Sequence, residues 1–98
     1  MHEYHKLKNA LVEIFSEQGY KEDKPDTDLD YCGSVHSIYA HGEKRFMIEW
    51  DGEEGFGAVE QWMGNNSWAM LKPIVPEDVE SEFNKNLEAL CKEDKSRL

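Results

Sequence analysis

The chain has 98 residues, 11% of them aromatic, so we expect residues 1–98 to fold as one small domain rather than to form a disordered acidic tail. Its 21 acidic residues outnumber its 11 basic residues and give a formal charge of −10 at pH 7. A surface of this charge repels phosphate backbones and anionic lipids. The composition therefore argues against direct binding to nucleic acid or to a membrane.

The cysteines and the N-terminal residues bear on the cellular compartment. Cys32 and Cys91 lie far apart, without the spacing of a disulfide framework or a zinc ribbon, so we expect two free thiols. Residues 1–15 interleave charges with apolar side chains and lack the continuous apolar core of a signal peptide. We therefore expect a cytoplasmic protein. A domain this small has a thin core, so both a monomer and a homodimer are compatible with it.

The first predicted element is an amphipathic helix over residues 3–18. Its apolar side chains recur at spacings of three and four, at Tyr4, Leu7, Leu11, Ile14 and Phe15. Gly19 is expected to end the helix because glycine readily adopts a left-handed backbone conformation. Tyr20 is then expected to fold back on Phe15.

The central half of the chain predicts a loop followed by a β-meander. Residues 21–30 contain Pro25, five acids and two lysines without apolar periodicity, which indicates a solvated loop. Four strand-like segments follow, around residues 31–40, 45–51, 56–63 and 67–75. The first alternates least cleanly and is expected at the sheet edge. The last two flank a Gly-Asn-Asn turn, so we expect a hairpin that brings Trp62 near Trp68.

A second helix is predicted from Pro76 onward. Proline and the acids that follow it favour a helix start, and apolar residues continue at helical spacing, at Val79, Phe83, Leu87, Leu90 and Cys91. The predicted fold class is α+β, in the order α-β-β-β-β-α. Both helices should cover one face of a four-stranded antiparallel meander in a two-layer sandwich, which leaves the other face open for a partner.

No motif for catalysis, a metal or a cofactor stands out. Asp26, Asp28 and Asp30 resemble the first half of a calcium loop, but Tyr31 and Ser37 occupy the positions where glycine and glutamate are needed. The histidines lack zinc-ligand spacing, and residues 52–57 place two glutamates where a phosphate cradle needs positive charge. We therefore expect a protein that is not an enzyme and that has no metal site and no cofactor.

The acidic surface and its aromatic residues favour a binding function. Our leading hypothesis is an acidic protein that neutralises a basic protein partner, as an immunity protein or inhibitor of a nuclease-type toxin or DNA-processing enzyme does by occluding its cationic cleft. Small bacterial immunity proteins and phage-type inhibitors resemble the chain in size and acidity. The alternatives are a homodimeric secretion-chaperone-like protein and a domain that binds a small ligand in a pocket lined by Trp50, Trp62 or Trp68.

Two acidic clusters are predicted to contact the basic partner, because carboxylates steer association and aromatic residues anchor interfaces. If the two clusters lay on different faces, at most one of them would be the binding site. The first consists of Asp26, Asp28, Asp30 and Tyr31, and the second of Glu49, Asp51, Glu53 and Glu54.

Overall fold

A computed structural model describes residues 2–28, 33–76 and 80–98 of the chain. It confirms the α+β class and the order in which a sheet stands between two helices. The sheet, however, has six strands rather than four. In chain order the elements are α1 (His2–Glu17), β1 (Lys21–Asp28), β2 (Val35–His41), β3 (Lys44–Asp51), β4 (Phe56–Gly64), β5 (Ser67–Met70), β6 (Val75–Pro76) and α2 (Glu80–Arg97).

The predicted acidic loop over residues 21–30 is wrong, because Lys21–Asp28 forms strand β1. Residues 21–26 of this strand are all exposed, so it carries none of the alternating apolar residues by which a half-buried strand is detected. It forms through backbone pairing with β2, interrupted by two register shifts. Charged side chains, a proline and irregular pairing are typical of an edge strand.

The six strands are antiparallel and run in the spatial order β1-β2-β3-β4-β5, with β6 also paired to β4. Strand β2 therefore lies inside the sheet, and the predicted edge position for residues 31–40 is wrong. The segment predicted as one strand over residues 67–75 is divided into β5 and β6, which pair with opposite ends of β4.

The end of helix α1 matches its prediction. Gly19 has a φ of 85°, and the N–H of Tyr20 donates a 2.9 Å hydrogen bond to the carbonyl of Phe15. The two rings lie 5.5 Å apart, as the predicted fold-back requires. Phe15 also contacts the rings of Tyr39 and Phe46, so the cap is anchored in the core.

Both helices and one sheet face share a single hydrophobic core. Leu7 and Leu11 of α1 and Leu90 of α2 are fully buried in it, together with Ile48 and Val59 of the sheet. At strand β4 the helix approaches so closely that a Cβ atom on Gly57 would lie 2.4 Å from Leu7 Cδ2. The absence of a side chain at this position sets the distance between α1 and the sheet.

The predicted start of the second helix at Pro76 is wrong, because Pro76 belongs to β6 and α2 begins at Glu80. The first acids predicted for that helix, Glu77 and Asp78, lie outside the described residues. The apolar spacing is confirmed where it is described: Phe83 and Leu90 are buried, and Leu87 and Cys91 pack against the core.

The side chains that point away from the helices form the second face of the sheet, called the open face below. It follows from strand alternation and from the pairing register. Its central residues are His36 and Ile38 on β2, Met47 and Glu49 on β3, Ala58, Glu60 and Trp62 on β4, and Trp68 and Met70 on β5.

Candidate functional site on the open face

The described residues of the two predicted acidic clusters lie at the same end of the sheet. Strand β1 ends opposite the start of β2, and Val35 on β2 pairs with Trp50 near the end of β3. The N–H of Gly52 donates a 2.9 Å hydrogen bond to the hydroxyl of Ser34, which ties the β3–β4 turn to the start of β2. The side chain of Asp28 and all of Asp30 and Tyr31 lie outside the described residues.

Asp26 is engaged within the fold. Its Oδ1 atom accepts hydrogen bonds from the Tyr4 hydroxyl at 2.7 Å and from Lys8 Nζ at 2.6 Å. Burial alone would raise the pKa of Asp26, but these donors outweigh it and lower the pKa. Lys8 also pairs with Glu22 at 3.2 Å, and Glu22 accepts a hydrogen bond from Tyr39. This network anchors β1 to helix α1, so Asp26 serves the fold before it can serve a partner.

The turn between β3 and β4, called the acidic turn, consists of Asp51, Glu53 and Glu54. Asp51 Oδ1 accepts the backbone N–H groups of Glu53 and Glu54 at 3.0 and 2.9 Å, which fixes the turn locally. The side chains of Glu53 and Glu54 are exposed, and no described cation forms an ion pair with them. Both carboxylates are therefore available to a cationic partner.

Glu49 and Glu60, called the acid pair, meet on the open face. They lie diagonally across β3 and β4, and their carboxyl groups come within hydrogen-bonding reach of each other. Two carboxyl groups can form a hydrogen bond only when one of them carries a proton, because an ionised carboxylate has no donor. Burial, the hydrogen bond and the charge of Glu60 together raise the pKa of Glu49 to about 7.

His36 stands directly opposite Glu49 on the neighbouring strand. Its Nε2 atom is buried and has no hydrogen-bond partner among the described residues. Burial and the nearby charge of Lys24 lower the pKa of His36, which leaves the ring neutral at pH 7. A neutral imidazole carries no positive charge; its charged form would lower the pKa of Glu49, but burial and Glu60 outweigh this effect.

Trp62 and Trp68 continue the open face beyond the acid pair, and the predicted proximity is confirmed. Their ring centroids lie 5.1 Å apart in an edge-to-face arrangement, and both side chains are half-buried. Trp50 faces the opposite side and is 2% exposed, so it belongs to the core. Of the three tryptophans predicted to line a ligand pocket, Trp62 lines the cleft described next.

That cleft has a volume of about 510 Å³ and lies at the end of the open face remote from the acidic turn. It is lined by Gly42, Glu43, Arg45, Trp62, Met63 and Gly64. Arg45 forms an ion pair with Asp23 of β1, so its charge is neutralised inside the protein. Met63 is 59% exposed, and Met70 on the neighbouring strand is 41% exposed. Apolar surface therefore surrounds the tryptophans.

A second buried carboxyl group, that of Asp94 on α2, escaped the sequence analysis. Its side chain is 0% exposed, and neither oxygen has a hydrogen-bond partner among the described residues. Burial raises the pKa of Asp94 to about 7. The signal was present in the spacing, since Asp94 follows Leu90 and Cys91 on the apolar stripe of α2.

Comparison of the chain with protein-family models, with curated proteins and with solved structures finds no match. The architecture itself defines an α+β protein with two helices on one face of an antiparallel sheet. No helix within the described ranges has the length and apolar character needed to cross a membrane. Among the same residues, no group of three or more histidine, cysteine or acidic side chains could hold a metal ion.

Proposed function

We propose that the chain is an acidic binding protein that neutralises a basic protein partner, as an immunity protein or inhibitor of a nuclease-type toxin does. The observation that carries this proposal is the acid pair on the open face. A lysine or arginine side chain from a partner would take the place of the proton on Glu49, so that the carboxylates of Glu49 and Glu60 both contact one cation.

The surroundings of the acid pair support the same proposal. The acidic turn adds two exposed carboxylates without ion-pair partners among the described residues, at the end of β3 that carries Glu49. The tryptophan residues Trp62 and Trp68 lie on the other side and offer the large, rigid contact area that anchors protein interfaces. Carboxylates beside such anchors favour fast, salt-sensitive association with a basic protein.

The proposal is tested by capturing proteins from a lysate of the source cell with two baits. One bait is the wild-type chain, and the other carries the four substitutions Glu49→Gln, Glu60→Gln, Glu53→Gln and Glu54→Gln. We expect one basic protein on the wild-type bait, in near-equal amount and released by moderate salt, and its loss from the substituted bait. Retention of the same proteins by both baits would contradict the proposal.

The second candidate is a homodimer resembling a secretion chaperone, which the exposed Met63 and Met70 favour. Sedimentation equilibrium distinguishes the two candidates. A monomer supports the inhibitor, whereas a dimer that dissociates on Met63→Lys or Met70→Lys substitution supports the chaperone. The same substitutions should leave a monomeric inhibitor monomeric.

A further inference from the structure

The outer edge of strand β5 is open to a further strand. Among the described strands, only β4 pairs with β5. The N–H of Leu71 donates a 2.8 Å hydrogen bond to the carbonyl of Val59. Because hydrogen-bonded and non-hydrogen-bonded pairs alternate, this bond determines which residues of β5 direct their backbone groups toward β4. The inward backbone groups of β5 are therefore those of Ala69, whereas the N–H and C=O groups of Trp68 and Met70 point away from β4.

Strand β1, at the opposite edge of the sheet, is better protected against pairing with a further strand. Strand β1 contains Pro25, which has no N–H to donate, and its pairing is interrupted by two register shifts. Its side chains are held by Lys8, through ion pairs with Glu22 and Asp26. The β5 edge has one register shift, near Trp62, but Ser67–Met70 contains no proline and no charged residue, and no described ion pair holds its side chains.

The side chains around this edge indicate the chemistry of its occupant. An added strand would place alternate side chains on the open face beside Trp68 and Met70. Met70 is paired with Glu60, so those side chains would lie about 10 Å from strand β4, two strand spacings away. Lysine and arginine are long enough to extend across Met70 toward Glu60, the nearer member of the acid pair.

We propose that β5 accepts an extended segment of the basic partner as a further strand, with the cationic side chains of that segment directed at Glu49 and Glu60. The inference rests on the proposed function and identifies the form of the partner at that site. Backbone hydrogen bonds to Trp68 and Met70 would supply affinity, and the acid pair would select lysine or arginine at alternate positions. The edge-to-face tryptophans would cover the apolar side chains between them.

The test uses the full chain and a short capped peptide of alternating lysine and valine. Tryptophan fluorescence measures the affinity, and amide hydrogen exchange reports on the Trp68 and Met70 N–H groups. We expect peptide binding to protect both amides. Met70→Pro removes only an outward N–H and should weaken binding about five- to tenfold, whereas the matched Met70→Ala keeps the N–H and should change it less.

Two further peptides keep the test decisive if Met70→Pro disturbs the fold. A lysine-valine peptide methylated at alternate backbone nitrogens cannot form the ladder, so wild-type protein should bind it weakly. Equal binding of the methylated and plain peptides would overturn strand addition while leaving the charge-based function standing. Equal binding of a glutamate-valine peptide would overturn the basic character of the segment. Binding of no peptide would overturn both strand addition and the basic character of the segment.

Discussion

The closeness of Glu49 and Glu60 favours a proton on Glu49 in the folded structure. At the residue scale, two carboxyl groups have a strongly raised pKa because their surroundings supply too little positive charge. Glu49 and Asp94 both have a pKa raised to about 7, Glu49 by burial and its acidic neighbour and Asp94 by burial alone. Asp26, beside Lys8, has a lowered pKa instead. These opposite shifts separate the carboxyl group that holds the fold from those that oppose it.

Glu49→Gln should flatten the dependence of stability on pH. A carboxyl group whose pKa is raised in the folded state stabilises the fold while protonated, and this contribution is lost as the pH rises from about 4.5 to about 7. One such proton contributes at most about 1.4 kcal/mol per pH unit to the slope. Urea unfolding across this range measures it. Glu13→Gln, an exposed substitution on α1, is the control and should leave the slope unchanged.

Asp94→Asn should stabilise the protein at about pH 8 by roughly 1–3 kcal/mol, because it removes the charge that this buried, unpartnered carboxyl group carries above its raised pKa. The amide cannot ionise, so the cost of a buried charge above pH 7 disappears. At about pH 4, where the acid is neutral, the two proteins should differ little. A variant less stable than wild type at the higher pH would mean that the carboxylate has a partner in solution.

Substituting both Glu53 and Glu54 by lysine should slow association with the captured basic partner and flatten its salt dependence. Both side chains are exposed and make no ion pair among described residues, so the melting temperature should stay almost unchanged. Stopped-flow fluorescence measures the association rate. Glu13→Lys with Glu17→Lys changes the charge equally on exposed positions of α1. An equal slowing in this control would indicate a net-charge effect rather than a specific surface.

At the scale of elements, the two edges of the sheet are built differently. Strand β1 depends on Lys8, which reaches from α1 to Glu22 and Asp26 and attaches a strand of mostly charged residues to the fold. Hydrogen bonds to these acids outweigh the effect of burial and raise the pKa of Lys8. Strand β5 has no such cover. Sequence periodicity detects neither the attachment of β1 nor the uncovered edge of β5, because both depend on contacts between distant parts of the chain.

Lys8→Ala should loosen β1 selectively. It leaves two acids without their cation, at a cost of about 1 kcal/mol after allowance for solvent screening. Amide exchange should accelerate in residues 21–26 and stay unchanged in the β3–β4 ladder, as measured by NMR. Lys85→Ala on an exposed position of α2 provides the control. Uniform acceleration across the sheet would show that β1 is not a separate local unit.

The features that the sequence predicted are local, and those that it missed depend on contacts between distant parts of the chain. Helix α1, its cap at Gly19 and the β4–β5 hairpin were predictable, because each depends on local spacing and turn chemistry. Strand β1 was missed because its charged side chains are satisfied by α1. Glu49 was named from its charge alone. Its contact with Glu60 was missed because it depends on the register of β3 against β4.

At the scale of the whole molecule, the acidic residues that give the charge of −10 differ in whether a neighbouring cation neutralises them. Lys8 neutralises Glu22 and Asp26, and Arg45 neutralises Asp23, whereas the exposed acids Glu13 and Glu17 on α1 have no described ion-pair partner. The acid pair and the acidic turn are not matched within the described residues. One end and one face of the protein therefore carry unneutralised negative charge beside two half-buried tryptophans. The two tryptophans beside these acids are the feature that favours an interface over charge that only keeps the protein in solution.

A binding role for the open face is tested most directly by the affinity of the captured partner for wild-type protein and for Glu49→Gln/Glu60→Gln, at about pH 6 and about pH 8. Wild-type affinity should rise with pH, by up to about tenfold per unit, because the partner's cation displaces the proton of Glu49. The double variant should bind about 10- to 100-fold more weakly at the higher pH, with this pH dependence lost. Equal affinities for the two proteins at both pH values would contradict a binding role for the open face.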